Sequence, residues 1–169
     1  HDVAHQLREV ESILRDCGAT SLRVATDAAE RARMWSGRKS AFPAVGRLAP
    51  DYYCMDGTIP RRHLASVLER IAAMARETGL SVANVFHAGD GNLHPLICYD
   101  EQIPGQGDLA EQVGAEILTY CIEAGGSITG EHGVGVDKSA YLSKMFSEDD
   151  LDTMQMVRCA FNPSGNCNP

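Results

Sequence analysis

The sequence lacks a long apolar run and an excess of basic residues, and each absence excludes a class of protein. No apolar stretch approaches the ~20 residues that span a bilayer, so we expect no transmembrane helix. Acidic residues outnumber basic ones by 23 to 15, and the formal net charge is -8. A nucleic-acid surface needs clustered Lys and Arg to displace counterions from phosphates, so we expect no nucleic-acid partner.

The six cysteines include no CxxC pair, and none are spaced for an iron–sulfur cluster. No secretory leader is recognisable, and a chain of 169 residues is too large to depend on disulfides. We therefore expect a reducing, cytoplasmic setting, in which Cys17, Cys121 and Cys159 are small core residues. The abrupt helix-like start and the abrupt end at Asn168 and Pro169 lead us to expect a fragment of a longer chain.

The pattern of apolar residues predicts an α+β fold. Apolar residues at helical spacing, helix-forming composition and capping residues together predict six helices, at residues 3–17, 27–39, 61–78, 108–124, 137–145 and 148–160. Two β-prone runs, 21–25 and 50–59, predict strands, and the runs SVANVFHA and NLHPLICYD around a glycine-rich turn predict a hairpin. This order of elements indicates an antiparallel sheet covered on one face by helices, followed by C-terminal helices.

Two glycine-rich polar segments carry the residues suited to chemistry. In VFHAGDGNLHP, His87 and His94 flank a tight turn, so paired strands bring them close together if both face the same side. In GGSITGEHGVG, the glycines leave Glu131 and His132 exposed to whatever occupies the space beside them. Two imidazoles plus one carboxylate form a common ligand set for a divalent ion that keeps open positions. His132 is then a nearby base, because imidazole suits proton transfer at neutral pH.

Residue chemistry alone leaves several interpretations open. The histidines and Glu131 could form a metal site or a hydrogen-bonded polar turn, or the histidines could simply cap strand ends. Asp90 is expected to stabilise its own turn, and Asn92 could bond the turn or reach into the site. Arg38, in WSGRKSAF, could grip a carboxylate in a bidentate manner, or it could be a cation at a helix C-terminus. Lys138 is expected on the surface.

Taken together, FHAGDGNLHP, GGSITGEHGVG and WSGRKSAFPAVGRLAPDYYCMDGTIPR resemble the C-terminal half of the FAD-linked oxidases of the vanillyl-alcohol oxidase type. The resemblance covers residues 1–169 and implies the ferredoxin-like, substrate-binding cap domain of such an enzyme. Nothing in the chain resembles the family's glycine-rich pyrophosphate loop, so the N-terminal FAD-binding domain is expected to be missing. Residues 137–169 would then form a helical segment that packs toward the flavin domain.

The resemblance implies oxidation of a 2-hydroxy acid to the 2-oxo acid, with a hydride passed to FAD. The closest branch contains glycolate oxidases and the D-lactate and D-2-hydroxyglutarate dehydrogenases. Matched by motif, His87, His94 and Glu131 would hold a divalent metal, zinc, manganese or iron. His132 would be the catalytic general base.

The matched motifs also imply the contacts with substrate and cofactor. Arg38 would bind the substrate carboxylate, and Asn92 would lie beside the substrate. Relatives that act on dicarboxylates tend to carry a lysine where Cys54 stands, which favours a small 2-hydroxy monocarboxylate such as glycolate or lactate. The ending FNPSGNCNP resembles a family ending that reaches back to the flavin side, so Asn168 would bind the cofactor. Without its FAD-binding domain, we expect the fragment to be inactive.

The same resemblance implies partners. Glycolate oxidases of this type resemble multi-subunit assemblies, so we expect other subunits, including an iron–sulfur subunit that carries electrons toward the inner membrane. Peripheral membrane association would come through those subunits, and the sequence leaves a homodimer open. Two other functions stay open from the residues alone. One is a metal-dependent hydrolase in which His132 activates a metal-bound water, and the other is a non-catalytic assembly module.

Overall fold

The computed structural model describes residues 2–167, which form an N-terminal unit ending at Ser40 and a larger unit beginning at Ala41. The N-terminal unit contains helices α1 (Asp2–Asp16) and α2 (Ala28–Lys39). Both helices are predicted from the sequence, and their existence is confirmed. None of the helices in residues 2–167 is long and apolar enough to cross a membrane.

The predicted strand at residues 21–25 is wrong, because this segment has no regular structure. Within residues 2–167 the segment pairs with no strand, and polar groups of Arg23, Thr26 and Asp27 bond to the start of α2 instead. Asp27 caps α2 by accepting a hydrogen bond from the Glu30 backbone N–H at 2.7 Å. The Glu30 carboxylate accepts bonds from the Thr26 backbone and hydroxyl at 2.9 Å and from Arg23 Nε at 2.8 Å. These local bonds stabilise a helix start, as Asp and Thr commonly do.

The larger unit is built on a four-stranded antiparallel sheet, which confirms the predicted α+β class. Its strands are β1 (Asp51–Cys54), β2 (Gly57–Thr58), β3 (Ser81–His87) and β4 (Asn92–Tyr99). Strand β3 pairs with β4 along its whole length, so the predicted hairpin is confirmed. Since β3 occupies one edge of β4, β1 and β2 must share the other edge, and β4 is the central strand.

The single strand predicted at residues 50–59 is divided in two, and Pro95 explains the break. Cys54 pairs with Leu96 and Gly57 pairs with Leu93, but the ladder is interrupted between them. The Met55 N–H donates to the Pro95 carbonyl at 3.1 Å, so the backbone of Pro95 faces this edge. Proline has no N–H to return the bond, and the ladder therefore cannot close at this point.

Helices cover the sheet chiefly on one face. The described part of this unit contains the short helix α3 (Ala41–Val45) and four further α-helices: α4 (Leu64–Thr78), α5 (Gln106–Glu123), α6 (Leu142–Met145) and α7 (Glu148–Phe161). Helices α4 and α5 bury apolar side chains against Leu93 and Ile97 of β4 to form the main core. Residues of β4 that alternate with these, Leu96 and Cys98, form a smaller cluster on the opposite face with α3 (Ala41–Val45). That opposite face is the more open one.

Two details of the sequence interpretation need correction. The helix predicted at residues 137–145 consists of a single 3-10 turn, Ser139–Tyr141, followed by the one-turn helix α6. Cys121 is buried as expected, but Cys17 and Cys159 are exposed. Both lie on or beside amphipathic helices whose apolar side is not covered within residues 2–167, so apolar spacing alone did not indicate burial.

Candidate functional site

Strand alternation brings the two histidines of the hairpin to the same face of the sheet. In β3, Ala83 and Val85 belong to the small cluster on the open face, so His87 also points to that face. In β4, Leu96 and Cys98 belong to the same cluster, so His94 points there as well. The ring centroids of His87 and His94 are 5.6 Å apart, which confirms the expected proximity of the two imidazoles.

Three polar side chains converge on a single oxygen of Glu131. The Glu131 Oε1 lies 3.3 Å from His87 Nε2 and 3.0 Å from His94 Nε2. Asn92 Nδ2 donates a hydrogen bond of 2.7 Å to the same oxygen. The Asn92 amide is thus directed toward Glu131, as in the alternative in which it reaches into the site. A carboxylate oxygen in this position can accept hydrogen bonds from protonated ring nitrogens or share a cation with deprotonated ones.

The site is open on one side and enclosed on the other. The His94 side chain is only 5% exposed, whereas those of His87 and Glu131 are 44% and 54% exposed. A cavity of about 330 Å³ lies beside them, with Asp90 and Thr58 among its lining residues. A small molecule can therefore approach His87 and Glu131 from solvent while His94 stays fixed in the protein.

The loop that carries Glu131 is anchored by a fully buried carboxylate, that of Asp56. Asp56 Oδ2 accepts hydrogen bonds from the backbone N–H groups of Gly130, Glu131 and His132, at 3.0, 3.2 and 2.9 Å. The Thr129 hydroxyl donates a fourth bond of 2.7 Å. Burial by itself would raise the pKa of Asp56, but these bonds to the charged form hold it well below its usual range. The carboxylate is therefore ionised, and it sits in a concave cluster of backbone donors.

Lys138 compensates the buried charge of Asp56. Its Nζ lies 3.5 Å from Asp56 Oδ2 and donates a bond of 3.2 Å to the Asp56 carbonyl. Only 8% of Lys138 is exposed, so the prediction of a surface lysine is wrong. Sequence reasoning missed both residues of this pair. The signal available for Asp56 was an Asp-Gly pair inside an otherwise β-prone run, PDYYCMDGTI, whereas nothing local marks Lys138.

Asp56 also lies beside the histidines. Its Oδ1 is 3.8 Å from His94 Nδ1, which is too long for a hydrogen bond but places a negative charge behind the imidazole. In residues 2–167, His94 Nδ1 is one of two buried polar side-chain atoms without a hydrogen-bond partner. The other ring nitrogen of His94, Nε2, faces Glu131 Oε1 at 3.0 Å and Asn92 Nδ2 at 3.4 Å.

His132 lies next to the cluster. Its ring stacks on that of His94, with centroids 5.0 Å apart and planes inclined by 20°. The backbone N–H of His132 is held by Asp56, while its side chain is accessible from solvent. An exposed imidazole beside the convergent donors is in a position to exchange a proton with a bound molecule.

Of the two remaining predicted site residues, one belongs to the N-terminal unit and the other lies outside the described residues. Arg38 belongs to the N-terminal unit, in the last turn of α2, where it is exposed and lines a small surface pocket with Trp35. This placement agrees with a helix C-terminal cation and leaves its substrate-binding role a prediction. Asn168 lies outside the described residues.

The donor atoms fit a divalent cation. Among the residues that the structure describes, two groups of three side chains bring their ligand atoms within 4.8 Å of one another, His87–His94–Glu131 and Cys54–His94–His132. The first is the group predicted from the sequence, and its two nitrogens and one oxygen suit zinc, manganese or iron with open positions. The Asp56 carboxylate behind His94 resembles the outer carboxylate that commonly orients a metal-ligating histidine.

Comparison with known proteins finds one matching family and several similar relatives. Residues 1–169 match the family described as FAD linked oxidases, C-terminal domain. Glycolate oxidase subunit GlcD of Escherichia coli strain K12 is 54% identical over 168 residues, 99% of this chain and 34% of the relative. Its counterpart in Bacillus subtilis strain 168 is 35% identical over 167 residues, 99% and 36% respectively. The mitochondrial D-lactate dehydrogenase (cytochrome) of Kluyveromyces lactis is 32% identical over 169 residues, 96% and 29%.

The chain spans about one third of the length of these curated relatives. The family match, in contrast, extends over every residue of the chain. The chain therefore belongs to the FAD-linked oxidase C-terminal domain family.

Proposed function

We propose that this chain is the substrate- and metal-binding part of a flavin-dependent 2-hydroxy-acid dehydrogenase that oxidises glycolate or D-lactate to the 2-oxo acid. The family and the names of the relatives, glycolate oxidase subunits and D-lactate dehydrogenases, support the reaction class. The single observation that carries the proposal is the convergence of His87 Nε2, His94 Nε2 and Asn92 Nδ2 on Glu131 Oε1. FAD would be held mainly by a part of the protein outside this chain.

In this proposal, His87, His94 and Glu131 hold a divalent cation. Asn92 keeps the Glu131 carboxylate in position through its 2.7 Å hydrogen bond, and Asp56 keeps the loop in position. When bound, the cation lowers the pKa of a coordinated hydroxyl, and FAD accepts the hydride.

The remaining residues bind substrate and move a proton. His132 takes the proton of the substrate hydroxyl at an imidazole nitrogen, which its open position beside the His94 ring allows. Arg38 binds the substrate carboxylate through its guanidinium, and Cys54, a neutral residue, leaves no second cationic clamp from β1. This set of side chains suits a small monocarboxylate better than a dicarboxylate.

The C-terminal segment is proposed to face the rest of the protein. Helix α7 exposes apolar side chains that a free surface does not need, Met154, Met156, Val157 and Phe161. We place the flavin domain against this segment, residues 137–169, since an exposed apolar stripe is typical of an interface. The name of the GlcD relatives, a subunit, supports further partner subunits, among which we include an iron–sulfur subunit.

The test uses the full-length protein that contains this chain. Anaerobic addition of glycolate or D-lactate should bleach the flavin absorption, and metal analysis should find about one divalent ion per chain. His87→Ala and Glu131→Gln should lose both the metal and the bleaching. His5→Ala, which removes an exposed imidazole from α1, is the matched control and should retain both.

Two results would contradict the proposal. The first is an unchanged metal content in His87→Ala and Glu131→Gln, which would place the ion elsewhere. The second is a flavin that no 2-hydroxy acid reduces. Metal-dependent ester or peptide hydrolysis without flavin would instead support a hydrolase.

A further inference from the structure

A cysteine, Cys54, lies beside the histidines. In the proposed reaction its only role is that, as a neutral residue, it does not bind a second carboxylate. Cys54 ends β1 opposite Leu96 and belongs to the open face of the sheet, as His94 does. Its Sγ, one ring nitrogen of His94 and one ring nitrogen of His132 all lie within 4.8 Å of one another. These three side chains come from β1, β4 and the loop held by Asp56, so the fold brings them together over long sequence distances.

The chemistry of this second group differs from that of the first. One thiolate and two imidazoles favour soft cations such as zinc, cadmium and copper(I), whereas two imidazoles and one carboxylate also suit manganese and iron. Burial raises the pKa of the Cys54 thiol, the Asp56 charge raises it further, and Lys138 opposes this. The thiol is therefore protonated in the absence of a cation. Binding of a divalent cation replaces the S–H bond with a sulfur–metal bond and releases one proton to solvent.

The two groups share His94, and this makes them mutually exclusive. A neutral imidazole has one nitrogen that carries hydrogen and one that carries a free lone pair, so it can coordinate one cation at a time. His94 is almost fully buried and cannot turn out to find another partner. A cation on Cys54 and His132 therefore removes a ligand from the group that contains His87 and Glu131.

We propose that Cys54, His94 and His132 form a second cation site, selective for soft thiophilic cations, whose occupation displaces the cation held by His87, His94 and Glu131. Occupation also sequesters the His132 imidazole. Binding at this site does not depend on the proposed dehydrogenase function. Only the inhibitory consequence, the loss of substrate oxidation when the soft cation binds, rests on that function.

The experiment is a cadmium titration of the full-length protein after its metal has been removed with a chelator. Bound Cd²⁺ gives an ultraviolet thiolate-to-cadmium charge-transfer band, and the first equivalent should produce it. Cys54→Ser and Cys54→Ala should lose this band. The matched control Cys159→Ser, which removes an exposed thiol, should keep it.

Two further variants distinguish this site from the first one and from a lone thiol. Glu131→Gln removes a ligand of the first group only, so it should retain the band even if it loses all flavin reduction. His132→Ala should weaken Cd²⁺ binding about tenfold or more, since it removes a ligand of the second group. A measurement without variants is protection of Cys54 from alkylation by one equivalent of Cd²⁺, followed by mass spectrometry.

Several outcomes would overturn the proposal. They are a band that survives in both Cys54 variants, an affinity for Cd²⁺ that His132→Ala leaves unchanged, or alkylation of Cys54 that Cd²⁺ does not slow. Failure of the dehydrogenase proposal would look different, because the flavin would not respond to hydroxy acids while the cadmium band behaved as described.

Discussion

Replacing Asp56 by asparagine should free the loop that carries Glu131 and His132. The carboxylate oxygen Oδ2 accepts three backbone N–H bonds and one hydroxyl bond, and it lies 3.5 Å from Lys138 Nζ. An asparagine offers one carbonyl oxygen without charge, and the Lys138 ammonium then stays buried without its counterion.

The magnitude follows from the loss of that buried charge. Breaking a buried ion pair on one side costs roughly 3–5 kcal/mol, and each hydrogen bond to a charged group contributes roughly 1.5–3 kcal/mol. Because the Asn carbonyl retains some of these bonds, we expect a local loss of about 3 kcal/mol, the lower end of the range for the pair. A free energy of about 3 kcal/mol corresponds to an about 10²-fold change in an opening equilibrium.

Hydrogen exchange by mass spectrometry on the full-length protein measures this opening directly. In Asp56→Asn, backbone amides of residues 130–132 should exchange about 10²-fold faster, in proportion to the lost stability. Asp150→Asn is the control, because Asp150 also accepts bonds from Ser147, but at an exposed helix start. Loss of such a cap costs about 1 kcal/mol and should leave the loop unaffected. Equal exchange at residues 130–132 in wild type and Asp56→Asn would refute the anchoring role of Asp56.

Three further predictions concern pH, space and thiol reactivity. The pKa of Asp56 is lowered in the folded state relative to its unfolded value of ~3.9, so its stabilisation is complete above about pH 4 and is lost as the pH falls through the folded value. Urea denaturation should therefore show wild type losing more stability than Asp56→Asn below about pH 4, and parallel curves would contradict this. Gly130→Ala should displace the side-chain amide of Asn92, because a Cβ at position 130 would lie 2.5 Å from Asn92 Oδ1. The metal content of the Gly130→Ala protein should therefore fall below that of wild type. Gly89→Ala, where a Cβ meets open space, should retain the metal, and equal metal contents in the two variants would contradict the crowding. Burial raises the pKa of Cys121 to about 12, so maleimide at neutral pH should modify exposed Cys159 and leave Cys121 intact unless the protein is denatured.

The parts of the site that sequence could predict are those that depend on short-range geometry. His87 and His94 flank one hairpin turn, and alternation of side chains across a pleated strand determines which face each histidine occupies. A tight turn between paired strands also fixes their register. The positions of these imidazoles therefore follow from about ten neighbouring residues, and the structure agrees with the prediction.

The parts that could not be predicted depend on contacts between distant segments. Asp56 bonds to Gly130 and His132 across more than 70 positions, and Lys138 meets it across 82. Nothing near Lys138 in the sequence distinguishes it from a surface lysine, because its burial comes only from that distant carboxylate. The wrong strand at residues 21–25 has the same origin, since β propensity produces a strand only where another strand can pair with it.

The break that Pro95 makes in the sheet determines how the two parts of the candidate site are held. His87, Asn92 and His94 belong to a continuous hairpin, whereas Glu131 and His132 belong to a loop whose backbone N–H groups bond to Asp56, a residue in the interrupted part of the ladder. The candidate site thus combines residues of a hydrogen-bonded hairpin with residues of a loop that is bonded to the buried Asp56 carboxylate. For the proposed cation, opening of this loop would withdraw the Glu131 ligand while every strand stays paired, so loading and unloading would leave the sheet intact.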